Sequence, residues 1–269
     1  MNNPAIAPQA QQLDEFGMDR NYIERWGKTL FNFLYKYYWR IETRGLEHVP
    51  LHGGAVLVGT HRGFMPWDAV MTLHLIVRNT GRVPRFLCHP GLLKFHPIAN
   101  IITKLGGVLA NRQNADRILA ADELLGILPE GVEGAFSLYR NAYKLASFGR
   151  DDFVKIALRR RVPIIPFVIV GNAEILPMFA RIKSRWWTKH LDWPYVPIST
   201  FPIVPFPLPS KWHIRFLVPI DVQDYPPEAA SDRSVVKAIS LQVRNAMQDS
   251  LEEMVARRRS IFFGSIFES

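Results

Sequence analysis

The 269-residue sequence has little cysteine and no long apolar run, and each absence narrows what the protein can be. A single cysteine, Cys88, excludes a disulfide within the chain and is typical of a reducing compartment. No run of about 18 uncharged apolar residues occurs, so no membrane-spanning helix is predicted. Residues 1–12 lack the basic start and apolar core of a signal peptide. We therefore expect a cytoplasmic protein that contacts a membrane only peripherally, on its cytoplasmic face.

Two kinds of ligand site are also missing from the sequence. Five histidines are scattered and form no His-Glu-x-x-His motif: His52, His61, His74, His89 and His96. With only one cysteine besides, a zinc site is not expected. The pair Gly106-Gly107 lacks the pattern that follows it in a glycine-rich phosphate loop. We therefore expect neither a metal nor a resident cofactor.

No serine or cysteine stands out as a catalytic nucleophile. Cys88 is followed by His89, but adjacent residues of a strand point to opposite faces, so their side chains do not pair. Cys88 is therefore predicted to be a core residue.

Positive charge and aromatic residues are abundant. The chain has 33 Lys and Arg against 24 Asp and Glu, a net charge of +9, and 12% of its residues are aromatic. Such a surface favours nucleic acid, anionic lipid headgroups or phosphorylated substrates. A nucleic-acid binder should carry its basic residues on one element, whereas the basic runs at 159–161 and 257–259 suit the ends of two helices. We therefore expect a lipid surface or a phosphorylated substrate rather than nucleic acid.

The pattern along the chain predicts one domain with tails. The predicted segments are a disordered tail at 1–18, a domain at 19–260 and an apolar tail at 261–269. Within the domain, we expect an amphipathic helix at 19–39, a proline- and aromatic-rich loop at 181–211 and a C-terminal helix at 231–258. Two alternatives are open for the helix at 19–39, for the loop and for the apolar tail: each packs on the protein body or touches a membrane interface. The loop is alternatively a lid over an apolar ligand.

Short apolar runs alternate with helical patterns between residues 55 and 170. This alternation predicts an α/β fold with a twisted, mixed and partly parallel sheet flanked by helices. Ligands of such sheets bind at the carboxyl ends of the strands. His61, Arg112 and Glu130 each follow a predicted strand, so a base, a cation and a carboxylate are expected at one edge of the sheet.

The stretch 58–68 contains the most suggestive pair of side chains. His61 follows an apolar strand, and Asp68 lies in the first turn of the next predicted helix, after Pro66. A carboxylate that folds back on an imidazole holds it in one tautomer for proton abstraction. The alternative is a surface histidine and an aspartate that only stabilises a helix N-terminus.

Four blocks of sequence resemble the glycerolipid acyltransferases. In order they are His61 to Asp68, Gly-Gly-Val-Leu-Ala-Asn-Arg ending at Arg112, Leu-Pro-Glu-Gly at 128–131, and Val-Pro-Ile-Ile-Pro at 162–166. The family includes lysophosphatidate acyltransferases and the related mono- and diacylglycerol and phytol acyltransferases. The resemblance covers roughly residues 40–220 and implies a glycerol-phosphate acyltransferase-like fold in a single domain.

The resemblance implies transfer of a fatty acyl group from acyl-CoA or acyl carrier protein to a hydroxyl of a glycerolipid or long-chain alcohol. His61 is then the general base, and Asp68 orients it. Arg112 and Glu130 are expected to hold the polar part of the acceptor, and Gly131 to let the backbone approach the site. The acyl thioester is a co-substrate, so no further cofactor is implied. The alternative is a non-catalytic lipid- or membrane-binding protein with the same fold.

Two departures from the family pattern leave the acceptor open. The family commonly has four residues between the histidine and the aspartate, whereas six separate His61 from Asp68, which is more similar to the neutral-lipid branch. Pro-Glu-Gly is usually followed by Thr-Arg-Ser, whereas Val-Glu-Gly stands at 132–134 and removes an expected basic residue. Arg112 still favours a phosphorylated acceptor. The longer loop is predicted to bulge, so that Phe64, Met65 and Trp67 shape the apolar side of the acceptor site.

Overall fold

The computed structural model describes residues 13–63, 65–200, 203–204 and 206–267, except the side chain of Leu191. Its strands are β1 (Glu42–Arg44), β2 (Ala55–Gly59), β3 (Arg85–Cys88), β4 (Val108–Leu109), β5 (Leu124–Ile127), β6 (Ile164–Val170), β7 (Met178–Lys183), β8 (Tyr195–Ser199) and β9 (His213–Phe216). Its α-helices are α1 (Arg20–Trp26), α2 (Trp67–Thr80), α3 (Pro90–Leu93), α4 (His96–Lys104), α5 (Arg112–Ala120), α6 (Gly131–Ala135), α7 (Asp152–Arg160), α8 (Arg185–Leu191) and α9 (Arg233–Arg257). Two π-helical turns, Gly27–Phe31 and Leu34–Tyr38, extend α1. We call the whole run, 20–38, the N-terminal helix.

Seven strands form one mixed sheet in the order β1-β9-β6-β2-β5-β3-β4. The five strands from β6 to β4 are mutually parallel. β9 runs antiparallel to β6, so that His213 lies opposite Val170, and β1 runs parallel to β9. The predicted fold class, a mixed and partly parallel sheet flanked by helices, is confirmed.

Apolar layers cover both faces of the sheet. β6 is buried along its whole length, and its side chains alternate between the two layers. Ile164 and Val168 pack with α5, α7 and α9, whereas Ile165 and Phe167 pack with the N-terminal helix and α2. Strands that are buried on both faces have continuous apolar sequences, and for this reason they could be predicted from the sequence.

The N-terminal helix follows the predicted helix at 19–39 and packs on the protein body along one face, while its predicted contact with a membrane stays a prediction. Phe31 and Leu34 are buried against the sheet, whereas Phe33 and Tyr37 are exposed. One face therefore packs on the protein, and another presents aromatic rings to the outside. No helix formed by the described residues is long and apolar enough to span a bilayer.

The predicted disordered tail at 1–18 is wrong for its described part. Residues 1–12 lie outside the described residues. Met18 is buried, and Asp14 forms an ion pair with Arg85, whose side chain is only 1% exposed. Arg85 is the first residue of β3 and also pairs with Glu123, at 3.0 Å, so that Asp14 joins the segment to a buried cation of the sheet.

The prediction of a loop at 181–211 is also wrong in its first half. β7 and β8 pair as a separate antiparallel ribbon, with α8 between them. Both strands of a two-stranded ribbon are edges, so Pro197 can lie opposite Arg181 without removing a necessary hydrogen bond. The part of the prediction at 201–202 and 205 lies outside the described residues.

The predicted C-terminal helix at 231–258 is present as α9. The apolar tail predicted at 261–269 is docked at one point, because Ile266 is buried, while Phe263 is 73% exposed. Residues 268–269 lie outside the described residues. The end of the described chain is therefore attached to the body and still presents an aromatic ring outside.

Candidate active site

The predicted site residues follow strands that end at one edge of the sheet, which we call the site edge. His61 comes two residues after β2, and Glu130 comes three residues after β5. Arg112 begins α5, shortly after β4. Because these strands are parallel, their carboxyl ends lie on the same side.

His61 and Asp68 form a short, buried hydrogen bond. The distance from His61 Nδ1 to Asp68 Oδ2 is 2.7 Å, and the two side chains are 14% and 0% exposed. The same carboxylate accepts the backbone N–H groups of Arg62, at 3.0 Å, and of Ala69, at 2.8 Å. These bonds fix the carboxylate, so that Nδ1–H donates to it and Nε2 is left for a substrate. The predicted pairing is confirmed.

The six-residue stretch between the pair, 62–67, bends back at a glycine. We call this stretch the catalytic loop. Gly63 has φ +80°, a conformation that costs glycine little. Pro66 stands immediately before α2, which carries Asp68 in its first turn. Phe64 lies outside the described residues, so its predicted role is not described by the structure.

The surroundings of His61 stabilise its charged form. Burial alone lowers the pKa of the His61 ring, but the Asp68 carboxylate, through its charge and its hydrogen bond, and the charge of Glu130 outweigh that effect. The pKa of His61 therefore lies above the ordinary imidazole value. A raised pKa makes the neutral ring a stronger base and stabilises the imidazolium that proton abstraction produces.

This electrostatic arrangement predicts a pH effect. Asp68→Asn removes the charge that raises the pKa of His61, so the acid limb of kcat/KM is expected to move to lower pH and its plateau to fall. Asp249→Asn, an exposed change on α9, is the matched control and should leave the profile unchanged. An Asp68→Asn profile that keeps its acid limb at the wild-type pH contradicts the coupling.

Beneath His61 lies a buried ion pair that the sequence did not reveal. Arg62 Nη1 is 2.7 Å from Glu130 Oε1, and the two side chains are 3% and 0% exposed. Glu130 also accepts the backbone N–H groups of His61, at 3.3 Å, and of Ala146, at 2.8 Å. Arg62 in turn donates to the carbonyl groups of Ala142, His61 and Lys144. The pair therefore ties the catalytic loop to the loops after β5 and α6.

The burial of Glu130 corrects its predicted role. Its carboxylate was expected to hold the polar part of an acceptor, but the side chain has no exposed surface and its oxygens bind groups of the protein. The physical reason is the neighbouring Arg62, since a buried cation needs a buried carboxylate. Glu130 positions the backbone of His61 instead.

Gly134, which belongs to the departure from the family pattern at 132–134, allows this packing. A Cβ atom at Gly134 would lie 2.6 Å from Glu130 Cβ and 3.0 Å from the carbonyl oxygen of His61. Glycine is therefore required where α6 approaches the catalytic loop. The preceding Glu133 accepts hydrogen bonds from Arg181, at 2.8 Å, and from the hydroxyl of Tyr195, at 2.8 Å. Glu133 thus ties α6 to the β7–β8 ribbon.

A cationic cleft of about 650 Å³ opens beside Glu130 at the site edge. Its basic lining residues are Arg112, Arg150, Lys155 and Arg159, and its acidic ones include Glu133 and Asp152. Arg112 is 68% exposed and lies 3.6 Å from Asp116 in a loose ion pair. Gly131 lines the cleft with φ +52° and has open space where a Cβ atom would stand. Arg112 and Gly131 thus line one cleft at the site edge, and their predicted contact with an acceptor stays a prediction.

A second, apolar cleft of about 260 Å³ is lined in part by the catalytic loop. Met65, Pro66 and Trp67 form its inner wall, and the N-terminal helix and α4 form the others. Tyr22, Trp26, Leu30, Phe31, Val70, Ile98, Ile101, Ile102 and Leu105 complete the lining. Met65 and Trp67 therefore shape an apolar surface, as the loop length had suggested.

Cys88 is unsuited to nucleophilic attack. Burial raises the pKa of its thiol to about 12, which leaves almost no thiolate at neutral pH. No group of three or more His, Cys, Asp or Glu side chains among the described residues could hold a metal ion.

Comparisons with known proteins show what this chain is similar to. A family model described as "Acyltransferase" matches residues 40–170. An uncharacterized protein of Mycobacterium tuberculosis is 35% identical over 260 residues, which cover 94% of this chain and 72% of that one. A "DGAT1/2-independent enzyme synthesizing storage lipids" of Bos taurus is 25% identical over 164 residues, 60% of this chain and 48% of that one. The crystal structure of a 1-acyl-sn-glycerophosphate acyltransferase of Thermotoga maritima matches with a TM-score of 0.57 and 22% identity, covering 89% of this chain and 81% of that one.

Proposed function

The chain belongs to the glycerolipid acyltransferase family, and on that basis we propose that it transfers a fatty acyl group from a thioester to a hydroxyl of a lipid acceptor. The donor is acyl-CoA or acyl carrier protein, and the acceptor is a glycerolipid or a long-chain alcohol. One observation carries the proposal above all. The His61–Asp68 pair is held at the site edge by a loop that lines the apolar cleft, and the buried Glu130, which binds the backbone of His61, is followed by Gly131 in the lining of the cationic cleft.

In the proposed reaction, neutral His61 is the general base. Its Nε2 takes the proton of the acceptor hydroxyl while that oxygen attacks the thioester carbonyl carbon. The tetrahedral intermediate collapses, the carbon–sulfur bond breaks, and the leaving thiolate takes the proton back from Nε2. Asp68 holds Nδ1–H and stabilises the transient imidazolium. The direct attack needs no enzyme nucleophile.

The two clefts support a division of the acceptor between them. The apolar cleft suits a hydrocarbon chain, and its inner wall is the catalytic loop itself. The cationic cleft suits a polar or phosphorylated headgroup, with Arg112 at its rim and the Gly131 backbone open to it. Because Glu133 stands where the family has a basic residue, a neutral headgroup is an equally good candidate for the acceptor. We further propose that the protein works peripherally, at the cytoplasmic face of a membrane.

The proposal is tested by incubating the purified protein with labelled acyl-CoA or acyl carrier protein and four acceptors: lysophosphatidate, monoacylglycerol, diacylglycerol and phytol. A labelled ester is expected with at least one acceptor. If folded protein makes no ester with either donor, the result contradicts the proposed acyltransferase activity and favours the non-catalytic alternative. The product formed also distinguishes a phosphorylated acceptor from a neutral one.

A further inference from the structure

Three exposed apolar segments of the chain meet at one place, which we call the aromatic corner. They are the end of the N-terminal helix, the described residues of the segment 203–208 (203–204 and 206–208) and the C-terminal segment 261–263. The exposed side chains are between 45% and 89% accessible: Phe33, Tyr37, Ile203, Phe206, Phe262 and Phe263. From the sequence alone, each of the three segments is a separate candidate for membrane contact.

Hydrogen bonds join the N-terminal helix to the segment 203–208. The hydroxyl of Tyr38 donates to the carbonyl of Pro207 at 2.7 Å, and the indole N–H of Trp39 donates to the carbonyl of Leu208 at 3.2 Å. Phe33 stacks on Tyr38, with ring centroids 6.2 Å apart. The exposed rings of the helix therefore lie next to the segment that carries Phe206.

Arg40 joins the C-terminal segment to the same place. Its guanidinium donates to the carbonyl of Phe262 at 2.6 Å and lies 5.7 Å from the centre of the Phe263 ring. The backbone N–H of Lys211 donates to the carbonyl of Ile261 at 2.8 Å. The three segments are thus one surface held by specific contacts.

The corner lies at the site edge of the sheet. β9 is antiparallel to β6, so the start of β9 at His213 lies beside Val170, where β6 ends. Trp39 stacks on Trp212 with centroids 4.6 Å apart and meets Trp67 of the catalytic loop edge-on at 5.5 Å. The exposed rings and the catalytic loop are therefore separated by one layer of buried tryptophans.

The parts of the chain that build this corner carry only positive charge. Residues 33–41, 203–213 and 257–267 contain six of the 33 Lys and Arg residues and none of the 24 Asp and Glu residues. Three of these cations pair with carboxylates from outside the three ranges. Lys36 and Arg259 are exposed and form no ion pair with any described residue.

We propose that the aromatic corner docks on an anionic phospholipid bilayer and delivers the lipid acceptor to the apolar cleft. The delivery of an acceptor rests on the proposed function, whereas docking on a bilayer can be measured without acyl transfer. Aromatic rings favour the bilayer interface, and basic residues beside them are attracted to anionic headgroups. A second copy of the chain fits this surface less well, because two such corners would bring like charges together. Leu30, which is partly exposed on the N-terminal helix, lines the apolar cleft and marks a path from the bilayer to Trp67.

Vesicle flotation tests the proposal without turnover. The protein is mixed with phosphatidylcholine vesicles, with or without phosphatidylglycerol, and its bound fraction is measured. The triple variant Phe33→Ser/Phe206→Ser/Phe263→Ser is expected to lose about tenfold or more in binding, and Lys36→Glu/Arg259→Glu to lose most of its preference for the anionic vesicles. The matched control is Ile182→Ser/Trp186→Ser/Ile198→Ser, which removes side chains of similar exposure, 55%, 62% and 42%, from the β7–β8 ribbon and α8.

The outcomes separate the docking surface from the chemistry. Corner variants that float as well as wild type, or control variants that lose as much, overturn the proposal. Wild-type protein that does not bind anionic vesicles also overturns it, and a corner triple variant that changes only from dimer to monomer in light scattering assigns the surface to a second copy. If the protein floats as predicted but transfers no acyl group, the docking surface is supported and only the proposed function is contradicted.

Discussion

His61→Ala is expected to reduce the rate of acyl transfer by about 10²–10⁴-fold, the usual contribution of a positioned general base. The change removes the only atom of the pair that can reach an acceptor hydroxyl, since Asp68 is fully buried behind the ring. Binding of the acceptor lipid should change little, so the loss is expected in kcat rather than in KM. The measurement is steady-state transfer with whichever acceptor the panel identifies.

The matched control for this prediction is His52→Ala, which removes an exposed imidazole from the loop before β2. It should keep the wild-type rate. The urea midpoint of each variant checks that the fold is intact. A folded His61→Ala protein with wild-type kcat would show that another group takes the proton.

Arg62→Met is expected to lower the free energy of unfolding by about 3–5 kcal/mol, because it leaves the Glu130 carboxylate buried without its cation. Glu130→Gln should cost a similar amount by leaving the guanidinium unpaired. Both variants should also lose activity, since Glu130 and Arg62 hold the backbone of His61 at its N–H and its carbonyl. The double variant should lose less stability than the sum of the two single variants.

An exposed ion pair of the same protein provides the comparison. Lys155 and Asp152 lie 3.3 Å apart with side chains 40% and 57% exposed, and Lys155→Met is expected to cost at most about 1 kcal/mol. Urea unfolding monitored by tryptophan fluorescence measures all four variants. If Arg62→Met costs no more than Lys155→Met, the buried pair does not anchor the catalytic loop.

The parts of the fold that were predictable are those with a local signal. A run of buried apolar residues at 55–58, with His61 three residues later, predicted both a central strand and the edge of the sheet where ligands bind. The spacing of His61, Pro66 and Asp68 placed a carboxylate in the first turn of α2, within reach of the ring. The pairing could be inferred because both partners belong to one loop.

The parts that were missed depend on contacts between distant residues. Glu130 lies 68 positions from Arg62, and no pattern near either residue shows that they pair. The sequence placed Glu130 at the correct edge, but the direction of its side chain follows from the burial of that arginine. In the same way, the β7–β8 ribbon was hidden because its prolines are tolerated only on edge strands.

The aromatic corner was also invisible in the sequence. Each of its three segments has an apolar and basic character, but the first lies more than 150 residues before the second, and the second more than 50 residues before the third. They meet because β9 enters the sheet antiparallel to β6 and brings Lys211 to the side of Arg40. Topology of this kind is a property of the whole sheet and leaves no mark on one segment.

The most direct test is the pH dependence of kcat/KM for acyl transfer, measured together with an NMR titration of the His61 ring in the same protein. The acid limb of the rate is expected to follow the titration of His61, at a pKa above the ordinary imidazole value of about 6.5. The rate should rise with pH through that pKa, because only the neutral ring accepts the hydroxyl proton. A rate that stays constant while the His61 ring titrates would contradict its role as the base.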